Sequence, residues 1–331
     1  MTNHPARRYC GGLCLLGTAA MLLGMLAAGA PATAATAPPA HSALRSFVCS
    51  GTATSPGSLP GGRYASVVVR GVCAVNAGIV RVRHDVTVTS GGALIAAFGR
   101  NDVARTGRSQ LTVGGNLTVG RRAVLVLGCY AKKVTAFGHT SAEFPCLDDP
   151  NPQAPTLAMH PVIGGSLLAS GALGVVTHNA TIAGSVLQRG GGGGLTCKPI
   201  GLFKLFQSPA YSTYEDSLVG RNVSITGLRS CWMGMPRNKV LGSMTIAGNR
   251  MADPDAMEIV SNVVLRNLSC FANSPKVQFG DSDGRPNKVG GRASGECGFG
   301  VILLSPPPSE HIPVKPRRLH ISVRLFATPR R

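Results

Sequence analysis

The chain reads as an all-β protein, a right-handed parallel β-helix in which short strands stack coil upon coil and disulfides pin the projecting loops. Three observations predict this. A short strand template recurs along the sequence, Gly and Asn recur at its corners, and long helical periodicity is absent because almost every ten-residue stretch holds Gly, Pro or a β-branched pair. The template is visible in DVTVTSGGALIAAFG (85–99) and NLTVGRRAVLVLG (116–128), then in HNATIAGSVLQ (178–188), RNVSITGLRS (221–230), GSMTIAGNRM (242–251) and SNVVLRNLSC (261–270). Taking Thr118, Thr181, Ser224, Thr245 and Val264 as equivalent gives steps of 63, 43, 21 and 19 residues, close to multiples of 21. One such unit cannot bury its own apolar face, whereas stacked units bury a continuous Val, Ile and Leu core. Asn and Gly suit the corners because both tolerate left-handed backbone. The same strand spacing also fits an antiparallel β-sandwich, the alternative architecture.

The elements follow in order. Arg7 and Arg8 precede an apolar run from residue 11 to 30 and then PATAATA, the layout of a secretory signal with cleavage after Ala34. The run is also long enough to act as a retained N-terminal anchor. Cys10 stands ahead of that run, which argues against a lipoprotein anchor. Residues 35–46 read as a linker, 47–304 as a single β-helix domain, and 305–331 as a basic Pro/Arg-rich tail outside the repeat. Segments 130–162 and 188–217 break the repeat and read as loops. No second apolar segment of spanning length occurs, so the exported chain is expected to be soluble, secreted or wall-associated, and monomeric.

The chain carries a net charge of +19; residues 1–34 hold two Arg and no acid, leaving +17 after cleavage. Nucleic-acid binders interleave basic residues with stacking aromatics. Aromatics are 5% of this chain and show no such interleaving, so specific nucleic-acid binding is not expected. Attraction to an anionic cell-wall polymer or polysaccharide is the better use of the charge. Eight cysteines remain after cleavage: Cys49, Cys73, Cys129, Cys146, Cys197, Cys231, Cys270 and Cys297. An even count in an exported chain reads as disulfides, and nearest-neighbour pairing (49–73, 129–146, 197–231, 270–297) closes the shortest loops. No CxxC or Cys/His cluster suggests zinc.

CLDDPNPQAPT, GGGGGLTC, YSTYED, LRSCW, MADPDAMEI, NLSCFANSPKVQFGDSDGRPNKVGG and GECGFG together resemble a family of exported actinobacterial proteins with recurrent G-N-x-x-V coils. The resemblance runs from about Phe47 to Gly300 and implies secretion and a coiled β-architecture. It implies no catalytic residue, since the family carries no assigned activity. The present coils read N-x-T-[IV] more often than G-N-x-x-V, and the tail continues past the usual Gly-Glu-Cys-Gly-Phe end.

Carboxylates are scarce but grouped: Asp148 with Asp149, Glu215 with Asp216, Asp253 and Asp255 with Glu258, and Asp281 with Asp283. Their Asp-Pro and Asp-Gly settings are those of turn caps. Calcium is the one cofactor considered, with Asp148, Asp149, Glu215 and Asp216 as its candidates; otherwise none is expected. A polysaccharide lyase or glycoside hydrolase is the alternative function, using Asp253, Asp255 and Glu258 with Asp216 or Asp281 as its acids. Gly190 to Gly194 read as a tight loop against a disulfide, not a phosphate cradle, because no GxxxxGK[ST] follows. His84, His139, His160 and His178 are isolated in sequence, Trp232 is expected to pack on the neighbouring disulfide, and Asn116, Asn179, Asn222 and Asn267 are read as corner residues. The reading that results is a structural or binding protein outside the cytoplasm, with no complete catalytic motif.

Overall fold

The computed structural model describes residues 44–75, 78–97, 109–128, 134–136, 139–141, 161–279 and 285–304; all lie in the second of two units, Ala43–Arg331. They form an all-β structure with long parallel sheets and three disulfides. The proposed signal and linker up to residue 43, the tail from 305, Cys129 and Cys146, Asp148 and Asp149, and Asp281 and Asp283 lie outside the described residues.

The strands enter three faces in fixed rotation. The first face holds Val86–Val88, Leu117–Val119, Leu167–Ser170, Val186–Arg189, Val223–Thr226, Met244–Ala247, Leu268–Phe271 and Ala293–Gly295. The second holds Ala93–Ala97, Val124–Gly128, Gly174–His178, Tyr211–Glu215 and Trp232–Gly234. The third runs from Gly62–Tyr64 through Thr181–Ile182, Leu218–Val219 and Lys239–Val240 to Val301–Leu303. Val67–Ala74 bends at Gly71 to serve two faces: its first half pairs with Val86–Val88 and its second half with Ala93–Ala97. Among the described residues every strand pairing is parallel except that of Val134–Ala136 with His139–Ser141. That register replaces the antiparallel sandwich and is consistent with a β-helix. No helix among the described residues is long and apolar enough to cross a membrane.

Alternation along each strand explains the core. On the first face Val86, Leu117, Leu167, Val186, Val223, Met244 and Leu268 stack inward in one column and are almost wholly buried. Val82, Val113, Ile163, Ile182, Val219, Val240 and Val264 do the same on the third. Each such side chain contributes about 1.5–3 kcal/mol by leaving water, and none could do so without the strands above and below.

Register corrects one part of the sequence reading. Thr118, Leu168, Leu187, Ser224, Thr245 and Ser269 are the true equivalents on the first face. Thr181 and Val264, assigned to the same series, belong to the third face. Successive first-face strands are separated by 19 to 50 residues, not by a constant 21. The second interruption is also shorter than expected: Val186–Arg189 and Tyr211–Glu215 are both strands, so the insertion is 190–210.

Polar ladders hold the corners. Between second and third faces, the buried Asn238, Asn262 and Asn287 stack, the side-chain oxygen of each later amide accepting from both the backbone N–H and the Nδ2 of the one before. After the first face, Asn249 and Asn273 stack in the same way and end on the Glu296 carboxylate. An outer ladder between third and first faces runs through Asp85, Asn116, Ser166, Ser185, Asn222, Ser243 and Asn267 to the Arg292 N–H. The Asn residues of the N-x-[ST] strings at 116, 222 and 267 are therefore corner residues, as expected, and Asn179 occupies a left-handed corner of its own (φ 52°).

Cys49–Cys73, Cys197–Cys231 and Cys270–Cys297 are bonded, three of the four expected pairs. The 190–210 insertion folds back on the outside of the second face, where Phe203 joins Val72, Ala93, Ile95, Val124 and Val126 in a second small core. Its ring seats where Gly174 has no side chain; a Cβ there would fall 2.4 Å from it.

Candidate functional site

Two places gather functional side chains. The first is the corner at the end of the second face. Register sets His178 beside Glu215, and the following left-handed corners carry Asp216 (φ 49°) and Arg237 (φ 58°). Non-glycine residues are rare in this conformation, and Asp is among those that tolerate it best. The outcome is a compact charge cluster. Arg237 donates to both Asp216 oxygens, Nε to Oδ1 at 2.8 Å and Nη2 to Oδ2 at 2.9 Å. Asp216 Oδ2 also lies 3.0 Å from His178 Nε2, and Arg237 Nη2 lies 3.6 Å from Glu215 Oε2. The other Glu215 oxygen accepts from the Thr213 hydroxyl at 2.7 Å. Burial and the Glu215 carboxylate push the Tyr211 phenol up to about 12. The adjoining Trp232 ring is edge-on to Tyr211, with centroids 6.1 Å apart, and lies over Gly234. The ring thus packs on Tyr211 and Gly234 and against the main core.

Sequence reading found Glu215 and Asp216 but left His178 isolated and Arg237 unremarked. No local signal marks them, because the four residues span 60 positions and meet only through the stacking of successive corners. His178, Glu215 and Asp216 offer one ligand atom each within 4.8 Å of one another, a set that a cation could use. Arg237 already takes both Asp216 oxygens in a bidentate pair, the strongest geometry open to those groups. The cluster is thus internally compensated, and an incoming ion would have to displace a guanidinium. Cys197, Cys231 and Asp253 also converge, but both sulfurs are spent in the disulfide.

The remaining predicted acids take separate roles. Asp253 Oδ1 accepts the Asp255 N–H at 3.0 Å, the side-chain turn expected of Asp-Pro-Asp. Asp255 is exposed, while Glu258 is buried on the line of the second face, bridging Gly234 and Gln278. Thr213 pairs with Gly234 and Gly234 with Glu258, so Glu258 is two strand spacings, about 10 Å, from Thr213.

The second place is a surface groove of about 670 Å³ at the edge between first and second faces. Its rim carries the exposed Arg121, Arg122 and Arg229, and its apolar floor is Leu173, Ile200 and Leu202. One wall is the glycine run. Gly190, Gly192 and Gly194 donate their N–H groups to Thr226, Ala172 and Arg229 carbonyls, which wedges the run between neighbouring strands. All five glycines have positive φ, and a Cβ at Gly191 or Gly192 would stand 2.0 or 2.3 Å from a backbone oxygen. The string read as a tight loop is that and also a groove wall, a role that depends on Arg121 and Arg229 lying 108 residues apart in sequence. No protein-family model, curated protein or solved structure matches this chain.

Proposed function

We propose that the protein is a secreted, right-handed parallel β-helix that binds anionic polysaccharide or cell-envelope polymer through one arginine-bearing edge. The observation that supports this is the unequal use of charge. Among the described acids, Asp85, Asp253 and Glu296 bond backbone or amide groups, and Glu215 and Asp216 share Arg237. The exposed Arg121, Arg122, Arg189, Arg229 and Arg250 along one edge form no ion pair among the described residues. Side chains at one corner repeat at the strand spacing of about 4.8 Å. Their fields add along the stack and attract a chain of like charges more than a single ion.

Export rests on the signal-like residues 1–34, and the resemblance to exported actinobacterial proteins points the same way. The protein is expected to act as a monomer and to use no cofactor. Co-sedimentation with an insoluble acidic polysaccharide at low ionic strength tests the proposal. Retention that is lost at high salt is expected; a protein that stays in the supernatant at low salt refutes it.

A further inference from the structure

We infer that the glycine–arginine groove is the subsite that seats the anionic polymer, taking carboxylate or sulfate groups of a linear glycan. This rests on the binding function proposed above and assigns it to one place. Three observations carry it. First, Arg121, Arg122 and Arg229 all line the groove, and among the described residues no acidic side chain lines it and none of the three arginines is ion-paired. An arginine fork pairs bidentately with two oxygens of a carboxylate or of a tetrahedral oxyanion, which a diffuse positive surface does not do.

Second, the glycine wall uses only alternate amides internally. The N–H groups of Gly190, Gly192 and Gly194 have carbonyl partners, whereas those of Gly191 and Gly193 have no acceptor among the described residues. Gly191 and Gly193 both line the groove. Two backbone N–H groups without an internal acceptor in a groove wall are donors that an anion can take, and the bonded amides between them fix their position.

Third, the groove has length. Gly91, Arg122, Leu173, Gly191 and Arg229 come from five successive circuits of the chain. Four strand spacings of about 4.8 Å make that roughly 19 Å. Arg121 and Arg122 stand three spacings, about 14 Å, from Arg229. A chain with repeated charges can engage both ends at once without the arginines having to converge. Leu173, Ile200 and Leu202 between the ends give an apolar floor on which the less polar faces of sugar rings can rest.

The test uses the full chain and three polymers: polygalacturonate (carboxylate), dextran sulfate (sulfate) and neutral dextran. Wild type is compared with R121A/R122A/R229A and with R221A/R266A/R292A, which removes the same three charges from the opposite edge. All six arginines are exposed, and melting curves check that each variant folds; R229A alone serves if the groove triple does not. The groove triple is expected to lose at least about tenfold in affinity for one or both anionic polymers, the opposite-edge triple less than about threefold, and neutral dextran should not bind. The polymer bound more tightly identifies the oxyanion. Equal losses in both triples would overturn the groove assignment while leaving polymer binding intact. Failure of wild type to bind either polyanion would overturn the binding function itself.

Discussion

Replacing Asn262 with leucine probes the buried amide ladder, and its cost follows from the bonds it removes. Asn262 Oδ1 accepts from the Asn238 N–H at 2.9 Å and from Asn238 Nδ2 at 3.1 Å. Its Nδ2 donates to the Met235 carbonyl at 2.6 Å and to Asn287 Oδ1 at 2.9 Å. Leucine branches at the same atom and is the larger side chain, so it leaves no room for a water to replace the amide. Asn238 Nδ2 keeps Tyr214 and Pro236 carbonyls as acceptors, and Asn287 Oδ1 keeps the residue-262 backbone N–H. The Asn238 N–H and the Met235 carbonyl lose their ladder partner. Each buried group so orphaned costs about 1–3 kcal/mol, so Asn262→Leu should destabilise by about 4 kcal/mol, a large share of the roughly 5–15 kcal/mol of a typical domain. Asn222→Leu is the matched control: it deprives the Ser243 N–H of its acceptor on the exposed outer ladder, where water can replace it, and should cost under about 1 kcal/mol. Urea unfolding of both variants at unchanged slope measures the difference. Equal losses at the two positions would refute the claim that the inner ladder holds the corner.

Other substitutions have equally definite outcomes. Gly192→Ala puts a methyl group 2.3 Å from the Arg229 carbonyl oxygen at φ 87°, and should lower stability by about 3 kcal/mol and expose Leu195–Phe206 to protease; Gly194→Ala, with open space around it, should cost about 1 kcal/mol from backbone strain alone. Arg237→Ala leaves Glu215 and Asp216 without their shared cation and should cost about 2 kcal/mol in this half-buried setting, whereas adding Asp216→Ala should recover part of the loss; additivity in the double-mutant cycle would contradict the cluster. Tyr211, at about 12 when folded against about 10 when unfolded, keeps its full stabilising contribution below pH 10 and loses it as pH rises through 12. Its absorbance titration at 295 nm should lag behind free tyrosine, and Tyr211→Phe should flatten the alkaline loss of stability by an amount on the order of 3 kcal/mol.

The parts of this fold legible in the sequence are those written locally. Inward Val, Ile and Leu at alternate positions, Asn and Gly at corners, and three cysteine pairs closing short loops all read correctly. Register does not read locally, because the first and third faces ask for the same pattern: an outward Thr beside an inward Ile occurs at Thr245–Ile246 on one and at Thr181–Ile182 on the other. Nothing in either dipeptide records its face, and insertions as long as that between Leu117 and Leu167 erase any constant period. The candidate sites are harder still. MADPDAMEIVSN, the densest acidic string, separates on folding into a self-capping Asp253, an exposed Asp255 and a buried Glu258. His178, Asp216 and Arg237 look unrelated until adjacent corners stack, and the groove sets residues of the 190–210 insertion beside arginines from circuits far away in sequence.

The most direct measurement is the affinity of the purified chain for polygalacturonate and dextran sulfate as sodium chloride rises from about 20 to 500 mM, since screening of charges beyond about 10 Å sets in near 0.1 M. If the unpaired arginines are the binding surface, affinity for at least one polyanion is measurable at the low end and falls steadily with salt, with none for neutral dextran. Absence of binding at 20 mM, or an affinity that does not change with salt, would contradict the account.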